Sequence, residues 1–421
     1  MPRFDTWTPS ISSDDQAGYI SSYRNKVMVQ PGILPRTLPI HPLKRISPSR
    51  FVSLGECALR EVWTANRQPL LLPASPVAKL GTAIHKLLEL AGKGQLGEGT
   101  AQEVESVWTL LVEQVEREMQ ASWLEKSLVP LKKAIPDYEV RKIRACRRAE
   151  EIAQAASTFH GSAENGSTDR FELWVQSNDG LIGGSIDHVR ETEEGLILRD
   201  YKSGYVMHKD ELTGELKVKQ GYQVQLKLYA ALYETTFGQW PVRLEIIPLQ
   251  GENITISFNP SECTELLNKV VASLYQVNRK IAEISQFDST VANIDLLALP
   301  TPNNCRFCSF RPACKAYQQI RNISDSCGWP RDVWGSVIKI QNLGNGKLNL
   351  NLELSNYPNK SINIRGLDPN PARHPALQII QTGDQVALYN LLGNGSTGAF
   401  LEKFSTVVYR FSPREQNECG S

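Results

Sequence analysis

The chain has 421 residues, 41% hydrophobic and 22% charged, and its 46 Lys and Arg side chains balance 45 Asp and Glu to leave a net charge of +1. That length predicts two or three domains, each able to bury its own core. The charge balance excludes a disordered acidic or basic tail protein and a globally basic nucleic-acid binder, so nucleic-acid contacts must come from local patches.

Residues 1–45 are rich in Ser, Pro and Arg without apolar periodicity and read as a loosely structured arm. Their start, MPRFDTWTPSISSDDQ, lacks the apolar core of a secretory signal, and no stretch of the chain nears the roughly 20 apolar residues that span a bilayer. A cytoplasmic location and no membrane partner are expected. From Ile46 the pattern changes: SPSRFVSLGECALREVW spaces Phe51, Leu54, Cys57, Leu59 and Val62 at helical intervals after a Ser-Pro-Ser start. A second helix from about Val77 carries GTAIHKLLELAG, with His85 and Glu89 one turn apart.

Residues from about 101 to 160 read as long charged helices, and seven residues between Lys132 and Arg148 are Lys or Arg. This run is either a local nucleic-acid patch or a solvated helix face. FELWV (171–175), LIGGSIDHV (181–189) and GLILRDYKSG (195–204) are separated by turn-rich SNDG and ETEEG and predict a β-meander. A helix, QGYQVQLKLYAALYETT, follows, then an apolar strand over 242–249, the strand-like ITISF, a helix over 261–286 and a cysteine-rich loop. This first unit, 46–325, is expected to be α/β.

From Asp332 the character is all-β. Leu348, Leu350, Leu352 and Leu354 alternate strictly, and five strand candidates with Gly/Asn turns predict a small OB-like barrel over 329–413, a module for single-stranded nucleic acid or for docking another protein, before a tail at 414–421. Trp334, Tyr357, Tyr389, Phe400 and Tyr409 are its candidates for stacking single-stranded bases or for filling its core.

Asp200 and Lys202 lie two apart on one strand and so share a face, and the preceding strand can bring Asp187 beside them. Two carboxylates and an ammonium at one point suit a hard cation, Mg²⁺ or Mn²⁺, with phosphate as substrate, and Lys202 can orient water or stabilise charge on phosphorus. The cysteines give a separate signal. Cys305-x2-Cys308-x5-Cys314 can wrap a metal or cluster but needs a fourth ligand, with Cys327 the one near in sequence for zinc, while Cys146, Cys263 and Cys419 read as spare thiols. No GxxxxGK[ST] phosphate loop is present in the sequence, so any unwinding would need a partner.

Gly81-Thr-Ala-Ile-His85, Gly184-Ser-Ile-Asp187, Asp200-Tyr-Lys202-Ser-Gly204 and Gln225-Leu-Lys-Leu-Tyr229, in this order, make residues 46 to 320 closely resemble the RecB-like branch of the PD-(D/E)XK nucleases. That branch includes the RecB-like exonucleases of CRISPR adaptation and AddB-type nuclease domains. The resemblance implies a PD-(D/E)XK core with a helical insertion at about 101–160. It implies His85, Asp187, Asp200 and the Tyr201 carbonyl as metal ligands, Lys202 as catalytic lysine, and Gln225 and Tyr229 as steadying the site and the strand. On the residues alone, His85 and Tyr229 read more readily as core, and Glu89 equally as a metal-site support or an exposed acid. The resemblance also makes Cys57 the fourth ligand of a [4Fe–4S] cluster with Cys305, Cys308 and Cys314, stapling the two ends of the domain. Ala58 departs from the proline common there. The expected activity is Mg²⁺- or Mn²⁺-dependent hydrolysis of single-stranded or end-opened DNA in repair, CRISPR adaptation or phage defence, with a helicase or integrase partner in trans. The competing reading is a non-catalytic iron–sulfur DNA-binding subunit of such a complex.

Overall fold

The computed structural model describes residues 30–35, 37–160, 169–210, 213–286, 294–321, 328–355, 360–394 and 399–411. A short strand, β1 (Ile33–Leu34), precedes helices α1 (Phe51–Glu56), α2 (Ala58–Ala65), α3 (Pro76–Gly92), α4 (Ala101–Gln120) and α5 (Tyr138–His160). The helical spacing around Cys57 predicts one continuous helix, but Cys57 is extended (φ −160°, ψ 99°) and separates α1 from α2. Ala58 thereby becomes the first residue of α2, a position where proline is also at home because its N–H is not needed. Pro76 opens α3, and a reciprocal Thr100–Glu103 capping box opens α4.

The central sheet follows: β2 (Arg170–Gln176), β3 (Gly183–Thr192) and β4 (Gly195–Lys202) form the antiparallel meander. A small hairpin, β5 (Met207–Lys209) and β6 (Leu216–Val218), leads to α6 (Gln220–Phe237), β7 (Arg243–Pro248), β8 (Ile254–Thr255) and α7 (Pro260–Gln286). The sheet order is β2-β3-β4-β7-β8, with α6 the crossover between parallel β4 and β7. Both faces are covered, so the apolar residues of β4 and β7 are buried on either side and the charged Arg199 and Glu245 pair with each other at 2.8 Å. Leu198, Leu244 and Ile246 pack in the core that contains Leu226 and Leu228 of α6, whereas Tyr201 and Ile247 join the core of α3, α4 and α5.

In the C-terminal part, β9 (Val333–Asn342), β10 (Leu348–Leu354) and β11 (Ser361–Leu367) form a meander, and β12 (Gln385–Tyr389) returns to the other side of β9. The fifth expected strand is split into β14 (Ala399–Leu401) and β15 (Val407–Phe411), and a short β13 (Leu392–Asn394) precedes it. β14 runs parallel to β11 while β15 runs antiparallel to β12, so one segment serves both free edges and the sheet curls. The alternating leucines 348 to 354 all face inward. Trp334, Tyr389, Phe400 and Tyr409 are buried too, which removes them as a surface for stacking bases; Tyr357 lies outside the described residues.

The described residues of 33–45, within the sequence read as an arm, and Ile46 after them link the two sheets. β1 pairs with β15, Trp63 donates to the Leu38 carbonyl, and Ile46 exchanges backbone hydrogen bonds with Leu181 and Gly183. Across the same junction, Arg311 (2% exposed) meets Asp332 (0%) at the start of β9, its Nε donating to Asp332 Oδ2 at 2.5 Å. Tyr317 Oη (2.8 Å) and the Asn390 N–H (2.8 Å) also donate to this carboxylate, and the guanidinium reaches the carbonyls of Cys305 and Cys308. Burial opposes the charge on Asp332, but the guanidinium overrides it and holds the carboxyl below its ordinary range.

Removing one member of such a pair leaves an unpaired buried charge, whereas removing both does not. Asp332→Ala should therefore lower stability to denaturant by roughly 3–5 kcal/mol, and Arg311→Met with Asp332→Leu should lose less than Asp332→Ala alone. Equal loss in the two variants would show that the charge pairing is not what the junction depends on.

Candidate active site

The strand alternation that puts Asp200 and Lys202 on one face of β4 is realised at its carboxyl end, where Lys202 Nζ lies 2.6 Å from Asp200 Oδ2. The ammonium pairs with that oxygen, which has no second hydrogen-bond partner among the described residues. The β3–β4 ladder pairs residues as far as His188 and Arg199. Beyond it, position 187 falls opposite 200, and the Tyr201 N–H donates to Asp187 Oδ2 (2.8 Å) in place of a ladder bond. Asp200 is 3% exposed. Burial pushes both carboxyls up to about 6, and for Asp200 the Asp187 charge adds to the effect, while Lys202 opposes it in both.

Helix α6 supplies a ladder of side chains one turn apart. Gln225 Nε2 donates to Asp200 Oδ1 (2.8 Å) and its Oε1 accepts from Lys202 Nζ (3.1 Å), so a single amide fixes both groups. One turn earlier, the ring face of Tyr222 stands 4.7 Å from Lys202 Nζ, within cation–π range, and Lys219 Nζ lies 5.6 Å from the same ring. One turn later, Tyr229 is buried against β3. A Cβ at Gly184 would come within 2.9 Å of its hydroxyl, so that glycine permits the close approach of helix and strand. Burial, with both site carboxylates, raises the Tyr229 phenol.

From the opposite side, α3 brings His85 Nδ1 to 3.9 Å from Asp187 Oδ2. Burial and then the Lys202 charge depress its pKa, which keeps the imidazole neutral and its lone pair available. Glu89 is engaged by Lys86 (2.8 Å) and Lys93 (2.7 Å). The Tyr201 ring faces the other side of the sheet, its hydroxyl 3.1 Å from His188 Nδ1.

Two residues absent from the sequence reading belong to this neighbourhood. Tyr222 shares a helix face with Gln225 and Tyr229 at intervals of three and seven, a periodicity visible in the sequence. Glu172 on β2 adopts a left-handed backbone (φ 53°), and burial, with Glu89, raises its carboxyl. No sequence signal marks it.

Among the described residues, no three His, Cys, Asp or Glu side chains already form a metal cage. The donor set nonetheless suits a hard divalent cation: the buried Asp200 and the mostly buried Asp187 are both costly to keep charged, and His85 is neutral.

Cys57, Cys305, Cys308 and Cys314 line one small apolar pocket with Leu59 and Trp63, and all are free thiols. Burial pushes Cys305 up to about 12 and raises Cys308 and Cys314, with neighbouring thiols adding to the effect. Four soft ligands in one buried pocket, beside the Arg311 guanidinium, suit a cationic metal or cluster that would draw off their protons. Cys327 lies outside the described residues, as does Cys419. Cys146 and Cys263 lie away from this pocket, and burial raises both to about 11.

Compared with protein families, residues 45–315 match the PD-(D/E)XK nuclease superfamily. A search of the curated proteins gives no match.

Because the folded-state values of Asp187 and Asp200 lie above the unfolded value of 3.8, the folded protein holds their protons longer. Their contribution to stability is present below about pH 4 and is lost as pH rises through about 6. In metal-free buffer, Asp200→Asn should gain on the wild type by on the order of 2 kcal/mol between pH 4.5 and 7. Thermal unfolding at both pH values reads this directly, and a wild-type-to-variant difference independent of pH would contradict the buried-carboxylate account.

Proposed function

Because the chain belongs to the PD-(D/E)XK nuclease superfamily, whose activity is metal-dependent phosphodiester cleavage, we propose that it is a RecB-like deoxyribonuclease acting on single-stranded or end-opened DNA. The observation that carries the reading is the Gln225 amide shared between Asp200 and Lys202, which fixes a carboxylate and an ammonium at the carboxyl end of β4.

Asp187, Asp200, the neutral His85 imidazole and the Tyr201 carbonyl would hold Mg²⁺ or Mn²⁺. When bound, such an ion polarises a phosphoryl oxygen and acidifies water. Lys202, oriented by Gln225 and the Tyr222 ring face, stabilises the negative charge that develops on the phosphate. In the overall hydrolysis, a water oxygen bonds to phosphorus, the P–O ester bond breaks, and the water's proton ends on the leaving oxygen. Tyr229 holds α6 against β3, and through α6 keeps Gln225 in place.

The pocket of four thiols supports a [4Fe–4S] cluster with a structural role, tying Cys57 after α1 to the loop after α7. The curl of the C-terminal sheet, with β14 and β15 on its two edges, supports the OB-like reading of that part. A helicase or integrase acting in trans is the partner expected of a nuclease whose sequence has no phosphate loop. Against a purely non-catalytic subunit stand the intact bonding of Gln225 to Asp200 and Lys202 and the placement of Asp187 by the Tyr201 N–H.

Incubated with labelled single-stranded DNA and Mg²⁺ or Mn²⁺, the wild type should cleave, and Lys202→Ala should lose roughly 10²–10³-fold in rate. Tyr222→Phe should keep most activity and Tyr222→Leu should lose it in kcat rather than KM, because the ring face is what the ammonium meets. No cleavage by the wild type, or full cleavage by Lys202→Ala, would refute the reading. For the cluster, protein purified without oxygen should contain about four irons per chain and be coloured, and Cys57→Ala should lose both. A single zinc and no iron would refute that assignment.

A further inference from the structure

The basic run between Lys132 and Arg148, most of it on α5, contains two populations. Lys132, Arg141, Lys142 and Arg148 are committed to Glu139, Asp137, Glu105 and Glu151. Arg144 and Arg147 are exposed and make no ion pair or hydrogen bond among the described residues. They project along a groove of roughly 450 Å³ between α5 and the 249–251 turn. With Val140 (46% exposed) and Ile143 (58%), they fall at helical intervals of three and four, so guanidinium and apolar surface run side by side.

The groove is built onto the active site. At one end of the helix segment, Arg141 Nη1 donates to the carbonyl of Ser203, the residue after Lys202 (3.4 Å). Arg148 Nη2 donates to the carbonyls of Pro248 (3.1 Å) and Gly251 (3.2 Å), and Pro248 is the register partner of Lys202. These paired arginines therefore fix the wall, leaving Arg144 and Arg147 free to meet a ligand. The position, just beyond the carboxyl ends of the parallel strands β4 and β7, is where open α/β sheets receive ligands.

We infer that this groove binds a single strand of nucleic acid continuous with the strand at the cleavage site, its phosphates on Arg144 and Arg147 and its bases along Val140 and Ile143. The inference rests on the nuclease reading for what occupies the neighbouring site. A duplex turns its bases inward and offers only its backbone to such a wall. An unpaired strand offers both phosphate and base, which matches the alternation of arginine with exposed apolar side chains.

The test measures binding of single-stranded DNA of about 5 and about 20 nucleotides in EDTA over a range of salt, lengths that bracket a short site and one extended along a groove. Arg144→Gln with Arg147→Gln should weaken binding of the longer strand at least about fivefold, with the salt slope reduced by about 1.4 for two lost phosphate contacts. The shorter strand and a blunt duplex should be affected less. Lys132→Gln, a committed lysine on the same segment, should leave the slope unchanged, and an unaltered thermal midpoint in the double variant verifies its fold. Wild-type affinity and slope in the double variant would overturn the inference, as would equal losses for duplex and single strand. Because the assay needs no cleavage, its failure is separable from that of the nuclease reading, which falls only if the wild type does not cut.

Discussion

Two carboxylates at the carboxyl end of β4, Asp200 buried and Asp187 mostly so, are the constraint around which the rest is arranged. Left alone, Asp187 and Asp200 would be too costly to keep charged, and the surrounding elements each contribute something that offsets the cost. The Tyr201 N–H leaves the ladder to reach Asp187, Lys202 approaches Asp200, and α6 places an amide between the last two. The compensation is partial. Both carboxyls stay well above their ordinary values. A site that is incompletely neutralised by its own protein is one that a divalent cation completes.

Sheet and helices follow from this requirement. β4 must be buried on both faces to keep water from the carboxylates, so it is apolar apart from its last residues and is covered by α6 on one side and by α3, α4 and α5 on the other. The crossover through α6 makes β7 parallel to β4, and their shared carboxyl end leaves room for both the catalytic groups and the groove beside them. The thiol pocket and the Arg311–Asp332 pair join the first part of the chain to the curled sheet. The core that holds Cys305 and Tyr317 also includes Trp334, Tyr389 and Tyr409.

Much of this was legible in the sequence because local signals agreed with the tertiary outcome. The strands over 171–204 are set by alternation and by the turns between them, and Asp200 and Lys202 had to share a face once that alternation was read. What was not legible depended on contacts far along the chain. Helical spacing runs through Cys57 without a sign of the break there, since what the break serves is a pocket completed by residues after 300. Tyr222 looked like any aromatic on an apolar helix until Lys202 was seen against its face. The basic run of α5 gave its charge but not its pairing, because Lys142 is met by Glu105 from another helix. The last strand read as one segment, but it changes partner midway, from β11 to β12.

The central claim is that Asp187 and Asp200 together bind a divalent cation. Crystals grown with Mn²⁺ and measured for anomalous scattering test it most directly. The account predicts a manganese peak within about 2.5 Å of oxygens from both carboxylates, with His85 and the Tyr201 carbonyl turned toward it. Manganese bound elsewhere on the protein, with Lys202 still closing Asp200, would contradict it.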